Sequence, residues 1–174
     1  MNNIKPLLFL FPVIFIILTI ILYFAFLVKA RDKKTFKKLV FIITLFAFVL
    51  NFAWEIIQIP LYKDSSYSLM HITFCALAAV ADAMAVLLIY LVFGFIFKDL
   101  LWIQKVTWNK ALLIIAIGGI GAALMETWYL SLANWSYADA MPVIPVVKVG
   151  LSPMLQFMIL PLLIYRLSLI SLNE

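Results

Sequence analysis

The chain has 174 residues, of which 67% are apolar or aromatic and only 12% are charged, and its mean hydropathy is +1.17. A soluble domain carries roughly a quarter charged residues and at most about half apolar ones. A water-soluble core of this size cannot bury the excess, so much of the surface is expected to face lipid. The composition excludes an ordinary soluble domain, and the length suits a single helical bundle over residues 1–174.

The net charge of +5 does not indicate nucleic-acid binding, because the charge is concentrated at one place. Six of the 13 basic residues lie within 29–38, next to an apolar stretch. Such a cluster is typical of the cytoplasmic face of a membrane, and no aromatic-basic groove accompanies it. The lone cysteine, Cys75, excludes an intramolecular disulfide and a cysteine-rich metal site.

Five stretches are long and apolar enough to span a bilayer, which takes about 20 residues of helix. They predict an all-α integral membrane protein with about five transmembrane helices. Because the connections are short, consecutive helices are expected to be antiparallel neighbours. The predicted spans are 6–28, 39–62, 69–97, 111–132 and 149–170.

The distribution of lysine and arginine predicts the orientation. With the amino terminus outside, ten basic residues face inwards, and only Lys5, Lys63 and Lys148 face outwards. This bias places the amino terminus outside and the carboxyl terminus inside. The ten are Lys29, Arg31, Lys33, Lys34, Lys37, Lys38, Lys98, Lys105, Lys110 and Arg166.

Two connections differ from simple linkers. The inner segment 98–110 contains Trp102 and Trp108 and suits the membrane interface. The outer segment 134–150 carries Trp135 and Tyr137, and its two prolines exclude a regular helix. This apolar segment is predicted to fold back over the helix ends, as a cap or as a re-entrant segment whose backbone is satisfied by protein or water.

Polar side chains inside the spans are the candidate functional residues, since each is costly in lipid unless it is satisfied. On the second helix they lie along one stripe, and so do those of the third. Four helices carry such groups at similar depths, so we expect them to converge on one interior site. They are Asn51, Glu55 and Gln58; Cys75 and Asp82, with His71 above them at the outer rim; Glu126; and Gln156.

Three carboxylates, Glu55, Asp82 and Glu126, share this zone without a lysine or arginine at their level. At least one is therefore expected to be protonated at neutral pH, or the cluster to hold a cation. His71 and the carboxylates could ligate a metal, but metal-binding spacing is missing, so we predict neither a metal nor a cofactor. The buried amides could also serve only as contacts between helices.

The fourth and fifth helices carry packing signals. Gly118 and Ala122 belong to a small-residue face that permits close helix contact, within the chain or in a homo-oligomer. Pro161 lies in the middle of the fifth span and leaves the carbonyl of Phe157 without its helical donor.

Three segments carry a resemblance: the run Trp54–Tyr62 (WEIIQIPLY), the set His71, Cys75 and Asp82, and residues 134–161 with NWSYADAMPVIP and GLSPMLQFMILP. The chain resembles a group of small bacterial inner-membrane proteins with no established activity. The resemblance covers the last two thirds of the chain. It implies a bacterial inner-membrane location and that Glu55, His71, Asp82, Glu126 and Gln156 form a set. Membrane-embedded terpene and carotenoid cyclases are similar in general architecture only.

The favoured function is an intramembrane enzyme that performs acid/base chemistry of an isomerase or cyclase type on a lipophilic, isoprenoid- or lipid-like substrate. Its predicted catalytic residues are Glu55, Asp82, Glu126 and His71. The alternatives are a small proton- or cation-coupled transporter or channel subunit, and a non-catalytic membrane scaffold. The predicted substrate-binding residues are Asn51, Gln58, Gln156, Trp54, Trp135 and Tyr137.

Overall fold

A computed structural model describes residues 6–173 as an all-α bundle. Residues 1–5, including Lys5 of the charge count, and Glu174 lie outside the described range. Five helices in the described part are long and apolar enough to cross a membrane, which confirms the predicted fold class. They are α1 (Leu10–Lys29), α2 (Lys33–Gln58), α3 (Leu69–Phe97), α4 (Trp108–Ser131) and α5 (Leu151–Asn173). Short 3-10 helices cover Pro6–Phe9, Ile59–Leu61 and Trp102–Lys105.

The boundaries of α2 and α3 follow from local chemistry. Asp32 caps α2, because its carboxylate accepts from the backbone N–H groups of Lys34 and Thr35 at 3.0 Å each. The helix therefore begins before the predicted span and includes most of the basic cluster. Ser68 caps α3 in the same way, and Lys98 ends it in the left-handed conformation.

The helices lie in the lateral order α1–α3–α2–α5–α4. The prediction that consecutive helices are neighbours is confirmed for α2 with α3 and for α4 with α5. It is wrong for α3 and α4, which make at most isolated contacts, and α1 touches α2 only slightly. α3 packs against both α1 and α2, and its Ala79 and Ala83 are fully buried. Phe11 of α1 packs edge-on against Trp128 of α4 at 5.7 Å, which brings the two ends of the row together.

We call the end that carries 29–38 and 98–110 the basic end, and the end that carries 59–68 and 132–150 the loop end. Towards the basic end the interior is filled by apolar side chains, which include Ile43, Val86 and Ile164. Tyr165 of α5 is buried there, and its hydroxyl donates to the carbonyl oxygen of Val86 in α3 at 2.8 Å. Polar side chains are concentrated in the other half.

Trp102, which lies in the segment predicted to be interfacial, places its ring in the core of the protein. Its side chain is 0% exposed, and its Nε1 donates to the carbonyl oxygen of Tyr90 at 3.0 Å. The ring also contacts Phe93 and Tyr165, with centroids 5.4 and 5.5 Å away. The 3-10 turn folds inwards and supplies a large ring to the core, whereas Trp108 is 84% exposed and suits the interface.

The small-residue face of α4 packs against α5 at Phe157, the residue whose carbonyl lacks its helical donor because of Pro161. A Cβ atom on Gly118 would overlap the carbonyl oxygen of Phe157 and lie 2.8 Å from its carbonyl carbon. That oxygen lacks its helical donor because Pro161 has no N–H. Gly118 and Ala122 are buried within this one chain. A self-association through this face stays a prediction, and it would need the side of α4 where Gly121 has open space.

The segment between α4 and α5 folds back over the bundle and contains a hairpin that we did not predict. Strands β1 (Val143–Ile144) and β2 (Val149–Gly150) pair antiparallel, and Lys148 turns the chain with a φ of 55°. The loop joins the end of α2 through hydrogen bonds from Lys63 N to Ser136 O and from Ala138 N to Leu61 O, both 2.9 Å long. The predicted cap therefore contacts the end of α2.

Candidate functional site

Gln156 of α5 is the centre of a polar cluster that joins three helices. Its Nε2 atom lies 2.9 Å from Oδ1 of Asn51, 3.0 Å from Oδ2 of Asp82 and 3.4 Å from Oε1 of Glu55. An amide nitrogen carries two hydrogens, so the two shorter contacts are the stronger bonds. Since one nitrogen contacts both carboxyl groups, Glu55 Oε1 and Asp82 Oδ2 are no farther apart than their two contact distances to it, 3.4 and 3.0 Å, added together.

Asn51 determines which way Gln156 is turned. The Nδ2 of Asn51 donates to the carbonyl oxygen of Ala47 at 2.7 Å, which directs its Oδ1 towards Gln156. That oxygen can only accept. Gln156 must therefore present its NH2 group to Asn51, and with it to the two carboxyl groups.

A second series of hydrogen bonds ends on Glu55. Trp54 Nε1 donates to Ser152 Oγ at 3.2 Å, and Ser152 Oγ donates to Gln58 Oε1 at 2.9 Å. Gln58 Nε2 then donates to Glu55 Oε1 at 2.8 Å. The donors of this series all point in one direction, and the last of them ends on Glu55 Oε1. That oxygen accepts from Gln58 and also lies 3.4 Å from Gln156 Nε2. The amides orient this carboxyl group and stabilise its negative charge.

Glu126 belongs to a neighbouring group that includes the cap. Its Oε2 accepts from the hydroxyl of Tyr137 at 2.5 Å and from Nε1 of Trp135 at 3.3 Å. The ring of Trp135 also packs on Tyr129 of α4, with centroids 4.9 Å apart. The two predicted cap aromatics therefore contact one of the predicted carboxylates, and no hydrogen bond in the described residues joins Glu126 to Glu55 or Asp82.

Tyr62 lies between the two groups. It forms a β-bridge with Tyr137, and its ring is 6.3 Å from that of Trp135. Burial raises the pKa of the Tyr62 phenol, and the negative charges of Glu126 and Glu55, with a smaller effect of Asp82, raise it further. All three carboxyl groups are thus within electrostatic range of one phenol.

The prediction of three buried carboxylates is correct only for Glu126, which is 8% exposed. Glu55 and Asp82 are partly exposed. The lateral order of the helices supplies the physical reason: α1 and α4, the two ends of the row, make at most isolated backbone contacts, so the helices do not fully enclose the cluster.

His71 lies apart from the carboxylates. Its Nδ1 is 3.1 Å from the hydroxyl oxygens of both Ser66 and Ser68 at the start of α3. The eleven residues from His71 to Asp82 correspond to about 16 Å of helix. Cys75 lies between them and contacts the backbone oxygen of Glu55 at 4.0 Å.

No positive charge compensates the cluster. Within residues 6–173, none of the three carboxyl groups forms an ion pair with a lysine, arginine or histidine. The same part of the chain contains no group of three His, Cys, Asp or Glu side chains placed to hold a metal ion. The repulsion between two nearby carboxylates is relieved when one of them carries a proton.

Two residues of this region were missed in the sequence. Ser152 joins Trp54 to Gln58, and its position four residues before Gln156 on one helix face could have revealed it. Tyr62 could have been found as an aromatic residue directly after the polar stripe of α2. Two further donors, Trp128 Nε1 and Asn134 Nδ2, are buried without a partner in the described structure.

The chain was compared with protein-family models, curated proteins and solved structures, and nothing in any of the three matches it.

Proposed function

We propose that this protein is an intramembrane enzyme whose Glu55–Asp82–Gln156 cluster carries out acid/base chemistry on a lipophilic substrate. The observation that carries the proposal is the pair of carboxyl groups held by one amide nitrogen, 3.4 and 3.0 Å from it, without a compensating cation in residues 6–173. Acidic side chains within membrane spans have a high energetic cost and are usually functional.

In the proposed mechanism one carboxyl group donates a proton to the substrate and the other accepts one. Gln58 and Gln156 orient Glu55, so its free oxygen can face a substrate double bond or carbonyl. Isomerisation or cyclisation of an isoprenoid- or lipid-like molecule suits this chemistry, because proton transfer at two positions is sufficient for it. The partial exposure of Glu55 and Asp82 favours entry of the substrate from the side of the bundle.

The packing of the core disfavours transport. A transporter needs a polar path to both faces, whereas Ile43, Ala83, Val86 and Ile164 are all buried in the core towards the basic end. A scaffold would need the amides only as contacts between helices. The relay of donors that converges on Glu55 is more than such contacts require.

We further propose that the protein is a multi-pass protein of the bacterial inner membrane with the loop end outside. The support is the excess of basic residues at the other end and the resemblance described above. Cysteines introduced at Ser66 and Ala140 should react with an impermeant thiol reagent in intact cells, and a cysteine at Lys34 should not. Labelling at Lys34 together with protection at Ser66 would invert this orientation.

The catalytic proposal is tested with Glu55→Gln and Asp82→Asn, which keep the shape of each side chain and remove its titratable proton. Mass spectrometry of lipid extracts should show a lipophilic species that is new or depleted in cells overproducing the wild type, relative to cells without the protein. Both variants should abolish this change. Asp139→Asn is the matched control, because Asp139 is an exposed loop carboxylate outside the network. Size-exclusion profiles and helical circular dichroism should be unchanged in all three variants.

Two results would reject the proposal. In one, Glu55→Gln and Asp82→Asn both reproduce the wild-type lipid profile. In the other, the wild type changes no lipid relative to cells without the protein, which would favour the scaffold.

A further inference from the structure

A cleft at the basic end, far from the carboxylates, is formed by the 3-10 helix Trp102–Lys105 and the last turns of α5. Two adjoining hollows of about 360 and 300 Å³ share Gln104, Arg166 and Leu169 in their walls. Their size is within the range of sites that bind small molecules or parts of them. Neither hollow contains any residue of the acid/base cluster.

Arg166 is the charged group of this cleft and has no protein partner. Its side chain is exposed, and it forms no hydrogen bond or ion pair with any residue in 6–173. A guanidinium carries five N–H donors in a planar fork that matches two oxygens of a phosphate. Gln104 is exposed beside it and can supply a further donor from its amide.

The other walls of the cleft are apolar. Leu162, Leu169 and Ile170 of α5 and Val106 of the preceding connection surround the arginine. These side chains belong to, or adjoin, helices that are long and apolar enough to span a bilayer. A cation flanked by apolar groups at this position fits a molecule with an anionic head and hydrocarbon chains better than a free anion.

The surrounding charge has the sign that such a ligand requires. Lys110 Nζ donates to the backbone oxygen of Lys105, next to Gln104, at 3.1 Å, and Lys38 Nζ donates to that of Leu172 at 3.3 Å. The two described acids of this end are already engaged: Asp32 caps α2, and the Oδ1 of Asp99 accepts from Leu101 N at 2.8 Å. Neither is paired with Arg166.

We propose that this cleft binds the phosphate group of an anionic phospholipid. Arg166 holds two phosphate oxygens, Gln104 donates to the headgroup, and the acyl chains run past Leu162 towards the middle of the bundle, while Leu169 and Ile170 flank the headgroup. The site is separate from the acid/base cluster and does not depend on its function.

The test measures lipid retention by native mass spectrometry. The full-length protein in detergent is incubated with equimolar phosphatidylglycerol and phosphatidylcholine of identical acyl chains. The wild type should retain phosphatidylglycerol preferentially, and Arg166→Gln should lower that preference about tenfold or more, because a charge-assisted pair is lost. Lys37→Gln removes a charge from the same end outside the cleft and should change the preference less than about twofold.

Two further arms make the result decisive. Arg166→Lys keeps the charge but loses the planar fork, so the preference should fall severalfold, and this variant decides the question if Arg166→Gln does not fold. Added inorganic phosphate at millimolar concentration should not displace the lipid. Equal losses in Arg166→Gln and Lys37→Gln, an unchanged Arg166→Lys, or displacement by inorganic phosphate would each overturn the proposal.

Discussion

Gly118→Ala tests the contact between α4 and α5. The added Cβ would overlap the carbonyl oxygen of Phe157 and lie 2.8 Å from its carbonyl carbon. A carbon and a carbonyl oxygen normally remain more than about 3.3 Å apart, so the two helices must separate by about 1 Å. Overpacking lowers the free energy of unfolding by about 1–3 kcal/mol. The high end of this range applies here, because the obstacle is the backbone carbonyl group of Phe157, which cannot change rotamer as a side chain could. Alanine recovers about 1 kcal/mol of helix propensity, so we expect a net loss of about 2 kcal/mol.

Gly121→Ala is the matched control on the same helix. A Cβ at Gly121 meets nothing within 4 Å, so the same substitution should be neutral or stabilise the protein by up to about 1 kcal/mol. Both variants can be measured by reversible unfolding in mixed detergent micelles, with circular dichroism as the signal. If Gly118→Ala unfolded with the same free energy as the wild type, or if both variants lost equally, the close contact at Phe157 would be refuted.

Two further predictions concern the aromatic residues at the two ends. Trp102→Ala should lower the free energy of unfolding by about 3–5 kcal/mol, because the ring is fully buried and its Nε1 donates to Tyr90; a loss below about 1 kcal/mol in the same unfolding assay would contradict its place in the core. Tyr137→Phe removes the hydroxyl that binds Glu126 and should increase hydrogen exchange of residues 134–150, with a cost of about 1.5–3 kcal/mol. Burial and the hydrogen bond to Glu126 raise the pKa of Tyr137, so its contribution is fully present below about pH 10, the ordinary tyrosine value, and is lost as the pH rises through the folded pKa. Loop protection factors, corrected for the intrinsic pH dependence of amide exchange, that stay unchanged up to strongly alkaline conditions would refute this anchoring.

The polar cluster shows how far helical spacing can predict a site. Asn51, Glu55 and Gln58 lie on one stripe of α2, and the stripe does face Gln156. His71 shares a stripe of α3 with Asp82, but we predicted it above Asp82 at the outer rim. It lies at the start of α3, where it contacts Ser66 and Ser68. A catalytic role for His71 stays a prediction.

The sequence by itself determined the number and class of the helices, and it identified the cap over the loop end. These features depend on local properties: a run of apolar residues long enough to span a bilayer, the prolines of 134–150, and the spacing of polar groups along one helix. The approximate bounds of α1 and α3 followed for the same reason.

Only the tertiary structure decided which helices are neighbours, and several other features followed from that order. Helix order depends on packing between distant segments, such as Gly118 of α4 against the backbone of Phe157 in α5. It brought Asp82 and Glu55 to the same amide of Gln156 and left both partly exposed, while Glu126 was buried beneath Tyr137. Hydrophobic periodicity gives each helix a buried face but does not specify the partner of that face, because many apolar surfaces pack with similar free energy.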